Sequence, residues 1–116
     1  MTDVTIYHNP RCSKSRETLA LLENTDTTIT IVKYLDTPPS IETLQQIIAL
    51  LGFDSARQLM RTKEAIYKEL ALKEEQNEAA LLTAMIENPK LIERPIVLAN
   101  GKAAIGRPPE SVLAII

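Results

Sequence analysis

A length of 116 residues suits one domain able to bury a core without metal or disulfide, and 45% hydrophobic with 24% charged residues is the balance of a globular protein. No apolar run approaches the roughly 18 residues of a membrane span, and a formal net charge of −2 argues against nucleic-acid binding, which needs a clustered basic surface. The opening MTDVTIYHNP has no basic segment followed by an apolar stretch, and one cysteine can form no internal disulfide, so a reducing, cytoplasmic setting is expected.

Residues 3 to 7, DVTIY, are β-branched and aromatic and run into Asn9-Pro10, a turn signal that ends a strand. A helix begins near Cys12 and runs through SKSRETLALLEN, with Leu19 and Leu22 as its core stripe and Asn24 as its stop. TTITIVKYL follows as a second strand. Two strands flanking one helix make a βαβ unit with parallel strands.

The period then changes. Ser40 is a good N-cap, and Ile41, Leu44, Ile48 and Leu51 recur at helical spacing until Gly52 closes the helix. Ser55 followed by Gln58 reads as a capping box for a short helix carrying Leu59 and Met60, and a third helix spans residues 77 to 87. Residues 40 to 90 are therefore a helical block with no strand signal. Strands return in PIVLANGKAAIG, two short apolar runs joined by Asn100-Gly101, whose type I′ turn needs positive φ at both central residues. Pro108-Pro109 open a final helix, ESVLAII. The expected fold class is α/β: a four-stranded mixed sheet in the order βαβ, three helices, ββα, read as one domain over residues 1 to 116.

On this scaffold Cys12 lies at the carboxyl end of the first strand and the amino end of the first helix, where open α/β sheets tend to bind ligands. Unpaired N–H groups, the helix dipole and neighbouring Arg11, Lys14 and Arg16 all favour the thiolate, which is the nucleophilic form. His8 could stabilise that thiolate or orient the loop. One cysteine and one histidine fall short of a structural zinc set, so no metal is expected. Ser15 stands where a dithiol oxidoreductase would carry its second cysteine, so any disulfide of Cys12 must form with another molecule's thiol, such as glutathione or a small redox protein. Arg61, Arg94 and Arg107 stand at junctions. Singly each reads as a solvated arginine; together they could clamp an oxyanion through their fixed, permanently charged forks.

The segments YHNPRCSKSRETL, YLDTPPS, LMRTKE, ERPIVL and IGRPPE resemble, in order and spacing, the glutaredoxin-linked arsenate reductases of bacteria and their close homologues. The resemblance covers essentially the whole chain. It implies a thioredoxin-like fold with a helical insertion and a cis bond before Pro95. It places the nucleophile on Cys12, the residues that help hold the thiolate on His8 and Ser15, and the anion-binding arginines on Arg61, Arg94 and Arg107. It implies no bound cofactor: glutathione is a co-substrate that attacks a cysteine-arsenate adduct, and glutaredoxin resolves the mixed disulfide as arsenite leaves. Two other readings are open. One is a redox regulator like the Spx-type transcription regulators, disfavoured because those use a two-cysteine motif. The other is a scaffold that becomes glutathionylated and reduces no oxyanion.

Overall fold

The computed structural model describes residues 2–116, and its contacts divide the chain into two compact units. The first runs up to Thr37 and resumes with Arg94–Ile116; the second is Pro38–Glu93, within which the expected helical block falls.

The first unit is the sheet unit. Strand β1 (Thr2–Tyr7) leads through helix α1 (Ser13–Glu23) to β2 (Thr27–Val32), and β3 (Ile96–Ala99) turns into β4 (Lys102–Ile105). The sheet order is β2-β1-β3-β4, with β1 parallel to β2 and antiparallel to β3, and β3 antiparallel to β4. This is the expected four-stranded mixed sheet in a thioredoxin-like arrangement. Alternation along β1 buries Val4 and Ile6, which pack with Leu22, Val97, Ala99 and Val112 into the core of the unit. Leu19 joins that core only partly buried. At the hairpin, Asn100 and Gly101 have φ of 54° and 72°, the left-handed pair that a type I′ turn requires.

Three details differ from the sequence reading. β2 ends at Val32 and not at Leu35, because the Asp36 and Thr37 amides both donate to the Lys33 carbonyl, at 3.0 and 2.9 Å, and curl the chain into a turn. The last helix is a 3₁₀ segment, Pro109–Ile115, whose Ser111 amide bonds to the Pro108 carbonyl three residues back. Its Val112 is fully buried in the core, and Asn100 Nδ2 donates to the Ile115 carbonyl at 2.8 Å, which ties the segment's end to the hairpin. The bond before Pro95 is cis, as the resemblance implies, but the bond before Pro108 is cis as well, which the sequence reading did not include.

The second unit is helical. In α2 (Ile41–Leu50), Ser40 Oγ accepts from the Thr43 amide at 3.1 Å as N-cap, and Gly52 follows with φ 74°. Its buried stripe is Leu44 and Ile47, whereas Ile41 is exposed and Ile48 half-buried. The Ser55–Gln58 capping box forms, with Gln58 Oε1 accepting from the Ser55 amide at 3.1 Å, but it opens a 3₁₀ turn over Ala56–Leu59. A short α3 (Ala65–Glu69) follows, which carries one buried residue, Tyr67, and so shows no period in the sequence. In α4 (Glu78–Glu87) Asn77 is the N-cap, its Oδ1 accepting from the Ala79 and Ala80 amides. The block also holds an isolated antiparallel bridge, Met60 to Ile92, flanked by bonds from the Arg61 amide to the Leu91 carbonyl and from the Glu93 amide to the Leu59 carbonyl. Among the described residues, no helix is long and apolar enough to cross a membrane.

Of the three glycines, Gly106 alone stands in a crowded place. A Cβ there would collide with Thr18 Oγ1 and lie 2.8 Å from Pro95 Cγ, while the Gly106 amide donates to the Pro95 carbonyl at 2.9 Å. Gly106→Ala is therefore expected to cost about 1–3 kcal/mol by overpacking, read as a lower urea midpoint. Adding Thr18→Ala should recover part of the loss, since Pro95 still crowds the site.

Candidate active site

Cys12 is the N-cap of α1, with extended backbone (φ −93°, ψ 123°) and no side-chain cap bond. That leaves the amides of the first helical turn to face its own sulfur. The Cys12 amide donates to the Asn9 carbonyl at 3.0 Å and its carbonyl accepts from the Arg16 amide at 3.0 Å, so the loop is closed before and after the thiol. Further bonds hold the loop from outside. The Arg11 amide donates to Asn9 Oδ1 at 3.0 Å, and Arg16 Nη1 donates to the Pro10 carbonyl at 3.0 Å. Arg16 thus straps the loop with its guanidinium, and Lys14 lies 3.7 Å from Glu17 in an exposed pair. Neither of these two side chains is spent on the sulfur.

The thiol is half-buried, and burial pushes its pKa up. The Ser15 amide, the Arg94 charge, the Lys14 amide and a hydrogen bond from Arg94 outweigh that penalty and hold the thiol below its ordinary value. Arg107 Nη2 lies 3.9 Å from Sγ, the long end of an N–H···S contact, and adds a second cation on the same side. The two arginines are linked, because Arg107 Nε donates to the Arg94 carbonyl at 2.9 Å. Cys12 thus joins groups from the carboxyl end of β1, the start of β3 and the end of β4.

His8 and Ser15 meet each other in the interior. His8 Nδ1 is 2.6 Å from Ser15 Oγ, and the same oxygen accepts from the Asn9 amide at 3.0 Å. Ser15 is fully buried. Burial lowers the His8 pKa, and the charges of Lys33 and Arg16 push the same way, so the ring is neutral at pH 7. A neutral ring that accepts the Ser15 hydroxyl proton at Nδ1 leaves Ser15 Oγ free to take the Asn9 N–H. The side chains of these two residues thus hold the 8–15 loop, and Ser15 reaches the thiolate through its backbone amide.

Arg61 lies in the helical unit, where Nη1 donates to Glu64 at 2.7 Å in a half-buried pair. The sheet unit brings together Cys12, His8, Ser15, Arg94 and Arg107. The Lys14 and Ser15 amides are the first-turn N–H groups expected to favour the thiolate; what the residue types did not signal is that the Ser15 side chain turns away from the sulfur to His8 and the Asn9 amide. Among the described residues, no group of three or more His, Cys, Asp or Glu side chains could hold a metal ion.

A thiolate at a helix start with two guanidinium groups beside it can attack an electrophilic centre whose oxygens the arginines neutralise. The ArsC family matches this chain over residues 7–115. The chain is 59% identical over 114 residues to the uncharacterized protein YfgD of Escherichia coli K12, which covers 97% of this chain and 96% of that one. It is 52% identical over 117 residues to an arsenate reductase of Neisseria meningitidis serogroup A, with 100% of both chains covered. The solved structure of an arsenate reductase from Vibrio cholerae matches at a TM-score of 0.95 and 56% identity, over 99% of this chain and 98% of that one. On a match that begins at the end of β1 and runs through the final 3₁₀ segment, this chain belongs to the ArsC family.

Proposed function

We propose that this chain reduces arsenate to arsenite at the single sulfur of Cys12, with glutathione and glutaredoxin as its reductants. The observation that carries the proposal is the seat of Cys12: a lowered thiol pKa with Arg94 and Arg107 beside it. The Cys12 thiolate attacks arsenic, an oxygen leaves as water after protonation, and a sulfur–arsenic(V) bond forms while the arginines neutralise the remaining oxygens. A glutathione thiolate then attacks the Cys12 sulfur. The sulfur–arsenic bond breaks with its electron pair left on arsenic, which departs as arsenite, and Cys12 is left in a disulfide with glutathione. A glutaredoxin thiolate takes over the glutathionyl group and frees Cys12.

Ser15 supports the outside thiol, since a buried hydroxyl bonded to His8 and Asn9 cannot resolve a disulfide. Arg61 enters on the resemblance alone, as a third anion contact that would exchange the Glu64 carboxylate for the oxyanion. The supply of reduced glutathione fits a cytoplasmic setting.

Cys12→Ser is expected to bring arsenite formation, assayed with glutathione and glutaredoxin, down to the protein-free background. Wild-type protein with Cys12 reduced that makes no arsenite in this assay would sink the arsenate assignment. Arg94→Ala should lower kcat/KM for arsenate by about 10²-fold or more, the range for losing one preorganised donor. It should also shift iodoacetamide alkylation of Cys12 to higher pH. The sign follows from the depressed thiol pKa: native protein at pH 7 alkylates faster than the unfolded chain, and the advantage fades as pH rises through the ordinary thiol value.

A further inference from the structure

The sheet unit carries a recess at the Cys12 loop. It is a cavity of about 320 Å³ between that loop and the turn after β2, lined by His8, Pro10, Arg11, Lys33, Leu35 and Asp36 among others. The register pairs Tyr7 with Val32, and the His8 amide continues the ladder to the Val32 carbonyl at 2.8 Å, so Lys33 stands beside His8 at the strand ends. The Lys33 carbonyl closes the turn that carries Leu35 and Asp36. Arg11 immediately precedes the nucleophile.

Resting on the function proposed above, we infer that this cavity is the subsite for the thiol co-substrate, and that Lys33 and Arg11 hold its carboxylates while Asp36 faces its ammonium group. Charge inventory and position argue for it. Glutathione with its thiol protonated carries two carboxylates and one ammonium, and the cavity presents two cations and one carboxylate around a neutral imidazole. Its volume is at the lower end for pockets that take small molecules, which suits a tripeptide with part of its length in solvent. In the sheet order β2-β1-β3-β4, Arg94 and Arg107 approach Cys12 from the β3 and β4 side, and Lys33 stands on the β2 side. On this reading oxyanion and thiol come to the Cys12 loop from opposite flanks, the arrangement that in-line attack on a Cys12–arsenic bond requires.

Binding of S-methylglutathione, which cannot attack, tests the site apart from turnover. By calorimetry Lys33→Glu and Arg11→Glu should each raise its Kd about tenfold or more, the loss of one charge-assisted contact. In the arsenite assay the kcat/KM ratio of glutathione to 2-mercaptoethanol, which has no carboxylate, should fall by a similar factor. Lys33→Gln, a milder change at an exposed position, should show the same trend. An unchanged Kd and an unchanged ratio in all three variants would overturn the subsite. So would a loss of arsenate affinity as large as the loss of S-methylglutathione affinity, which would make the cavity part of the oxyanion site. A wild-type protein that makes no arsenite, yet binds S-methylglutathione in a Lys33-dependent way, removes the function proposed above and supports the cavity.

Discussion

A half-buried thiol is a poor acid, and what the sheet unit does around Cys12 is reverse that tendency. Desolvation favours the neutral sulfur; two backbone amides of the first helical turn and the guanidinium of Arg94 favour the anion, and they prevail. The amides come at no conformational cost, because a helix start leaves its first N–H groups without intrahelical partners. Cys12 can use them because it stands at the N-cap itself, so that a sulfur and not a capping oxygen faces them. A serine or aspartate there would take those amides for ordinary capping.

The rest of the sheet unit keeps this seat in register. Ser15, Asn9 and His8 form a closed set of bonds beneath the loop, and Arg16 straps it from above. The Gly106 amide bonds to the Pro95 carbonyl and Arg107 Nε bonds to the Arg94 carbonyl, so the Arg107 side chain is fixed to the backbone at Arg94 before it meets a ligand. Such anchoring reduces the rotamer freedom that the long Arg107 side chain would otherwise lose on binding.

Local chemistry made much of this readable from sequence. Asn100-Gly101 announces its turn because few residues tolerate positive φ, and Ser40, Ser55 and Gly52 announce helix ends because caps demand particular side chains. Cys12 is legible for the same reason, as a thiol at a turn before a helix. Features set by tertiary packing are less so. Helix α3 buries only Tyr67 and leaves no periodic trace, and the Met60 to Ile92 bridge joins residues whose neighbours spell no strand. Arg61, Arg94 and Arg107 look alike as arginines at junctions. Within the sheet unit the geometry puts Arg94 and Arg107 beside Cys12, and within the helical unit it pairs Arg61 with Glu64.

The contact between Arg107 and Cys12 spans 95 positions of sequence. β1 reaches β3 only after the whole helical unit has been threaded between them, so this is a contact of high order, made late in comparison with the turns and caps. The first helical turn can form early and offer its amides, but the cations arrive with the closing of the sheet. A chain still folding therefore carries a more ordinary thiol than the finished one. At neutral pH the sulfur gains its full thiolate character only in molecules that have reached the native topology.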